Sequence, residues 1–256
     1  MNAEEDNGGK LIPGTTSKIL WHFTGGPKII NAETGERDTK PKDKDEAYRY
    51  LESIVETGFL RAGKEYVKYR INDEVGVKVL VIVHCCYVAE IPIQHLQYHA
   101  QRYGKFALGF HRDNLRGSHR FRPVHYAFNH DDWVAIDAWK LLSFLDHVTP
   151  QDQATTEMKS AADRHLAFIK TFSDEESGTV YCEREWRAVD KRVEKDIQVF
   201  KDDKDGFFFK PEDLCFLVCP RTYAITRLVP RIRGSKDLAQ MYAHVPVVPF
   251  EDLVEH

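Results

Sequence analysis

Apolar and polar positions change along this chain in short blocks, and the blocks read as strands and helices mixed in one sequence. Val77-Lys78-Val79-Leu80-Val81-Ile82-Val83 is nearly continuously apolar and β-branched, which suits a strand buried on both faces. It predicts a strand within 75–88. Shorter apolar segments at 19–24, 106–110, 124–128, 180–189, 207–209, 215–218 and 224–228 predict further strands. Helical spacing takes over elsewhere. Within 46–57, Tyr48, Leu51, Ile54 and Val55 share one face, and Gly58 is a natural stop. Pro92 opens a helix through Arg102, and Gly104 ends it. The strongest helical pattern covers 131–148, where Val134, Ala138, Leu141, Leu142 and Leu145 align. A more polar helix follows over 155–172, and a short one over 235–244. The polar, proline-containing stretch 28–45 reads as a loop, and 1–18 as a flexible tail. No repeat or composition shift divides the rest. The pattern therefore predicts a single α+β domain over 19–256, with a mixed, mostly antiparallel sheet and a helical insertion at about 130–172.

Composition narrows the classes of function. The chain has 256 residues, 42% of them hydrophobic and 30% charged, which is ordinary for a globular protein. A net charge of −4 means that binding to nucleic acid or an acidic membrane would need a local patch. The N-terminal segment has no apolar core, and the run Val79 to Val83 is too short to span a bilayer. Cys85, Cys86, Cys182, Cys215 and Cys219 are odd in number and lie in apolar or strand-like text, as expected in a reducing cytoplasm. Cys215-x3-Cys219 lacks the second pair a structural zinc site needs, so no metal is expected. Gly9-Lys10 and Gly14-Thr15-Thr16 do not make a P-loop, because no buried strand precedes them.

Tyr181-Cys182-Glu183-Arg184-Glu185-Trp186-Arg187 concentrates the charged chemistry. Strand alternation puts Glu183, Glu185 and Arg187 on one face. That pattern fits a salt-bridge ladder, the commoner use of such a charge cluster, or a carboxylate pair for acid–base work. His22, followed by Thr24, Gly25 and Gly26, suits the rim of a cleft or a histidine bonded to a backbone carbonyl. Residues 102–125 carry Arg102, Lys105, Arg112, Arg116, Arg120 and Arg122, and Tyr103, Phe110, Phe121 and the adjoining Tyr126 add aromatic faces. Arginine with aromatic faces suits phosphate contact and base stacking, or a solvated basic edge. His95 and His99 have metal-ligand spacing without a third ligand, which favours a surface helix face. No serine sits in a nucleophile elbow, and His84 and Cys85 are strand neighbours that point apart.

Several of these segments, taken in order, resemble one known family. They are His22-Phe23-Thr24, Tyr50 through Leu60, Cys85 through Pro92, His99 with Tyr103 through Phe110, Pro123-Val124-His125-Tyr126, and Glu183 through Arg187. The chain resembles the AbiGi family of bacterial abortive-infection proteins, described as the antitoxin half of a toxin–antitoxin pair. It departs from that pattern at Cys86 to Glu90, and 28–45 is extended. The resemblance implies a role in phage resistance and a companion toxin or antitoxin protein. A weaker likeness, to ADP-ribosyltransferases, implies NAD as cofactor. In that likeness His22 orients a ribose, Glu185 stabilises positive charge on the sugar, and Glu183 faces the acceptor. Thr24, Tyr103, Phe110 and Arg112 would then line the cofactor pocket, while Arg116, Arg120 and Arg122 would meet phosphate or a nucleic acid. The other reading is a non-catalytic antitoxin that binds a companion toxin or nucleic acid.

Overall fold

The computed structural model describes residues 17–32, 36–72, 76–118, 121–128, 137, 140, 157–158, 161–162, 165–172, 184–189 and 206–254. Residues 1–16, Glu183, Arg120 and most of the segment 131–164 lie outside them, and with these the tail and the strongest helical pattern. In chain order the first elements are β1 (Ile19–Phe23), β2 (Ile29–Asn31), β3 (Glu36–Arg37), α1 (Lys44–Thr57), β4 (Phe59–Arg61), β5 (Gly63–Asn72) and β6 (Gly76–Ala89). A 3₁₀ turn, Ile93–His95, leads into α2 (Leu96–Tyr103), then β7 (Ala107–His111), α3 (Arg112–Ser118), β8 (Arg122–Pro123) and β9 (His125–Phe128). The remainder comprises β10 (Ile169–Phe172), β11 (Glu185–Val189), β12 (Gly206–Phe208), β13 (Leu214–Cys219), α4 (Arg221–Tyr223), α5 (Val229–Gly234), α6 (Lys236–Met241), β14 (Val247–Pro249) and α7 (Phe250–Val254).

One eight-stranded sheet dominates, in the order β14-β13-β7-β1-β6-β11-β8, with β5 paired to β6. Only β13 and β14 run parallel in it. This is the α+β architecture with a mostly antiparallel sheet that the sequence pattern predicts. The sheet buries both faces. Leu20, Val88, Leu108, Phe110 and Leu217 face a core closed by α1, whose Ala47, Tyr48, Leu51 and Val55 pack inward. Trp21, Ala107, Val218, Ile91, Leu96 and Phe250 form the core of the opposite face. Asp43 caps α1 by accepting from the Glu46 amide, and Gly58 ends it at φ 60, the left-handed conformation that glycine adopts without a Cβ penalty.

Four predictions need correction. The stretch 28–45 is not all loop: β2 and β3 pair there as a hairpin, and α1 begins at Lys44. The helix expected to run to Phe172 ends earlier, because Ile169–Phe172 pairs in parallel with β9. The strand expected at 224–228 is π-helical. There Ala224 and Leu228 are buried, four residues apart, while Ile225 stays exposed, so β-branched text sits on a helix. Of the strand expected over 180–189, residues 180–183 lie outside the described residues; Arg184, at φ 38, is not extended, and β11 covers Glu185–Val189. Among the described residues no helix is long and apolar enough to cross a membrane.

Candidate functional site

The site begins with a gap in strand pairing. One edge of β6 is covered by β11, from Val189↔Cys85 to Glu185↔Ala89. On the other edge β5 reaches only as far as Gly63↔Cys85, and β1 joins only at Trp21↔Ala89. Among the described residues none pairs with 86–88 on that edge. His22 fills part of the opening, with its Nδ1 2.9 Å from the carbonyl oxygen of Tyr87. A carbonyl can only accept, so Nδ1 carries the proton and Nε2 keeps its lone pair. Burial pushes the His22 pKa below its ordinary 6.5. The Tyr87 bond opposes this shift and the Lys42 charge adds to it. The ring is therefore neutral near pH 7.

A cleft of about 1560 Å³ opens at the parted strands. Three consecutive residues from each strand line it, Trp21 to Phe23 and Tyr87 to Ala89. Pairing places Glu185 on the face of Trp21 and Ala89, and His22 on the face of Leu20 and Val88. Both line the same cleft. Its lining holds eight lysine and arginine side chains against four glutamates, so a chain with net charge −4 presents a cationic cleft.

A chain of alternating charges forms one wall. Arg37 lies 3.6 Å from Glu65, Glu65 2.9 Å from Arg187, Arg187 2.5 Å from Glu185, and Glu185 2.8 Å from Lys170. Arg187 is fully buried and also donates to the Ala167 carbonyl at 2.7 Å. Burial alone would push the Glu185 carboxyl up. The Arg187 guanidinium and the Lys170 ammonium outweigh burial and hold it well below the usual carboxylate range. Glu185 is thus a fixed, ionised carboxylate at the cleft, and a member of the salt-bridge ladder at the same time. Glu183 lies outside the described residues.

The other expected site residues divide. Tyr103 lines the cleft and stacks on His99, with ring centroids 4.3 Å apart. Thr24 lines it too, but its hydroxyl donates to the Ala47 carbonyl at 2.8 Å and so ties β1 to α1. Phe110 is a correction: it is fully buried and packs edge-on against Phe209, so a ligand cannot touch it. Arg112 is a second correction. It sits 3.3 Å from Glu90, a buried carboxylate that also accepts from Trp186 Nε1, and it does not line the cleft. Arg116 and Arg122 are exposed and outside the lining, and Arg120 lies outside the described residues. The basic segment is divided because β7 carries the chain through the core, and of its arginines Arg102 alone lines the cleft among the described residues. Cations that the sequence reading missed take that place: Lys28, Arg37 and Lys42 from the stretch expected as a loop, with Arg49, Arg61, Lys64 and Lys170. The one sequence signal for the first three is the density of lysine and arginine between 28 and 44.

Among the described residues no group of His, Cys, Asp and Glu could hold a metal ion, and His99 is buried rather than on a surface face. Residues 61–204 match the family model described as "Putative abortive phage resistance protein AbiGi, antitoxin". That stretch includes Glu185 and Tyr103, whereas His22 and Lys42 precede it. No curated protein and no solved structure matches the chain.

Proposed function

The chain belongs to the AbiGi family of abortive phage resistance proteins, described as antitoxins, and from that premise we propose that it acts in phage defence by binding NAD in the cleft between β1 and β6. The observation that carries this reading is that His22, Tyr103 and Glu185 line one cationic cleft. A dinucleotide brings a pyrophosphate, two riboses and two flat bases, and the cleft offers cations, a neutral histidine and aromatic faces. The unprotonated Nε2 of His22 accepts a hydrogen bond from a ribose hydroxyl. Tyr103 offers a ring face to a base.

The chemistry that follows is ADP-ribosyl transfer. Breaking the nicotinamide–ribose bond leaves positive charge on the sugar, which passes to an acceptor nucleophile as nicotinamide departs. A fixed carboxylate beside that sugar lowers the barrier, and Glu185 is the group for it. Glu183 faces the acceptor in this reading. Isothermal titration with NAD, followed by turnover of labelled NAD beside a Glu185→Gln control, tests the proposal. Binding without turnover leaves a sensor of NAD. Absence of both overturns the reading.

A second reading is a non-catalytic antitoxin that binds a companion toxin protein. It is favoured by the ladder, in which Lys170 and Arg187 each engage one oxygen of Glu185. Co-expression with the product of the adjacent gene tests it. Rescue of growth by wild type and by Glu185→Gln alike supports the antitoxin. Toxicity of this protein alone, lost on Glu185→Gln, supports the enzyme.

A further inference from the structure

Lys28 just before β2, Arg37 in β3 and Lys42 after it are near enough for their charges to act on one another. The Asp38 amide donates to the Lys28 carbonyl at 2.8 Å, and the Lys42 amide donates to the Gly25 carbonyl at 2.9 Å. Lys28, Arg37 and Lys42 all line the cleft. Two of them have carboxylate partners: Lys28 lies 2.5 Å from Glu46, and Arg37 3.6 Å from Glu65. Glu36 also lines this part, and Asp43 is occupied as the α1 cap. Lys42 differs from its neighbours. Its Nζ donates to the neutral Gly26 carbonyl at 2.6 Å and lies 5.3 Å from the Tyr50 ring centroid, and no carboxylate of the described residues pairs with it.

A half-buried ammonium whose direct contacts are a carbonyl and a ring, with Glu46 acting only at longer range, has lost hydration without gaining a contact ion pair. Burial lowers the Lys42 pKa, Arg37 and Lys28 add to that shift, and Glu46 opposes it. An anion entering the cleft relieves that cost and gains a charge-assisted hydrogen bond. We propose that Lys42, flanked by Arg37 and Lys28, is the centre of a phosphate subsite that takes the pyrophosphate of a nucleotide ligand. The proposal rests on the cleft being a nucleotide site; it does not require NAD or transfer chemistry. It also relocates the phosphate contact from the 102–122 segment to the β2–β3 strap.

The test is isothermal titration of inorganic pyrophosphate, ADP-ribose, NAD and nicotinamide riboside against wild type, Lys42→Met and Lys42→Arg. Loss of one charged hydrogen bond predicts that Lys42→Met weakens pyrophosphate and ADP-ribose by about tenfold or more. Lys42→Arg retains most of the affinity, and nicotinamide riboside, which has no pyrophosphate, is indifferent to the change. A footprint on the wild-type protein avoids any folding defect: acetylation by an N-hydroxysuccinimide ester, read by mass spectrometry, falls at Lys42 when pyrophosphate is added and stays constant at the exposed Lys236. Unchanged affinity in Lys42→Met, no pyrophosphate binding, or no protection of Lys42 overturns the subsite. If pyrophosphate binds and protects Lys42 but NAD does not bind, the subsite stands and the NAD reading falls. If NAD binds equally well to Lys42→Met, the NAD reading stands and the subsite falls.

Discussion

Trp21 pairs with Ala89, and this single register pair joins β1 to β6. Ala89 pairs across its other edge with Glu185, so one row of the sheet carries both the junction and the carboxylate. Beyond that row the strands part, and the His22 ring takes the Tyr87 carbonyl in place of a strand partner. A backbone acceptor left unpaired in a sheet needs another donor. Here a side chain supplies it and leaves room for a cleft.

Glu185→Gln is expected to destabilise the fold as well as any activity. It leaves the buried Arg187 with Glu65 and the Ala167 carbonyl alone. Breaking a buried pair from one side costs about 3 kcal/mol. Lys170→Met, at the Glu185 end of the same ladder, removes a partly exposed cation and should cost less, about 1 kcal/mol. Urea denaturation measures both, and a Glu185→Gln cost as small as that of Lys170→Met would remove the ladder as a structural element. Activity assays on Glu185→Gln belong at a temperature where the variant remains folded.

Acid should release the same ladder. The Glu185 carboxyl sits at about 2 in the fold against an ordinary 4.5. Its contribution is therefore complete above about pH 4.5 and is lost progressively as the pH falls toward about 2. Denaturant melts across that window should show stability falling with pH in wild type, with a shallower slope in Glu185→Gln. Parallel slopes would assign the acid lability to other carboxylates.

His22 gives a pH dependence of another kind. Its folded pKa lies below 6.5, so the Nε2 lone pair persists at neutral pH and disappears only in acid. NAD affinity should be flat at neutral pH and decline with a midpoint below 6.5. His22→Phe should weaken binding by about tenfold, the value of one hydrogen bond, and abolish that pH dependence. A variant that binds as wild type does would remove His22 from the site.

Gly25 is expected to tolerate no side chain. A Cβ there would stand 2.7 Å from the Tyr103 carbonyl oxygen and 3.3 Å from the Gly104 Cα, both backbone atoms. Gly25→Ala should cost about 1–3 kcal/mol through overpacking, read as a lowered melting temperature. Because Tyr103 lines the cleft, the same change should weaken NAD binding. Gly234→Ala, with open space around it, is the neutral control.

The elements with strong local signals were legible in the sequence. The apolar run at 77–83, the α1 face with its Gly58 stop, and the Gly104 end of α2 all form as their patterns predict. Local sterics and burial of one face determine such elements, and both are written in neighbouring residues. His22, Tyr103 and Glu185 were also legible as candidates, through residue type and the family resemblance. Only the tertiary structure decided that His22 and Glu185 share a cleft while Phe110 and Arg112 do not reach it. It also decided that three of the cleft's cations come from the strap at 28–42. The meeting of His22 and Glu185 depends on where β1 leaves β6, a matter of long-range register. Register follows from how whole strands pack, and no single segment of the chain encodes it.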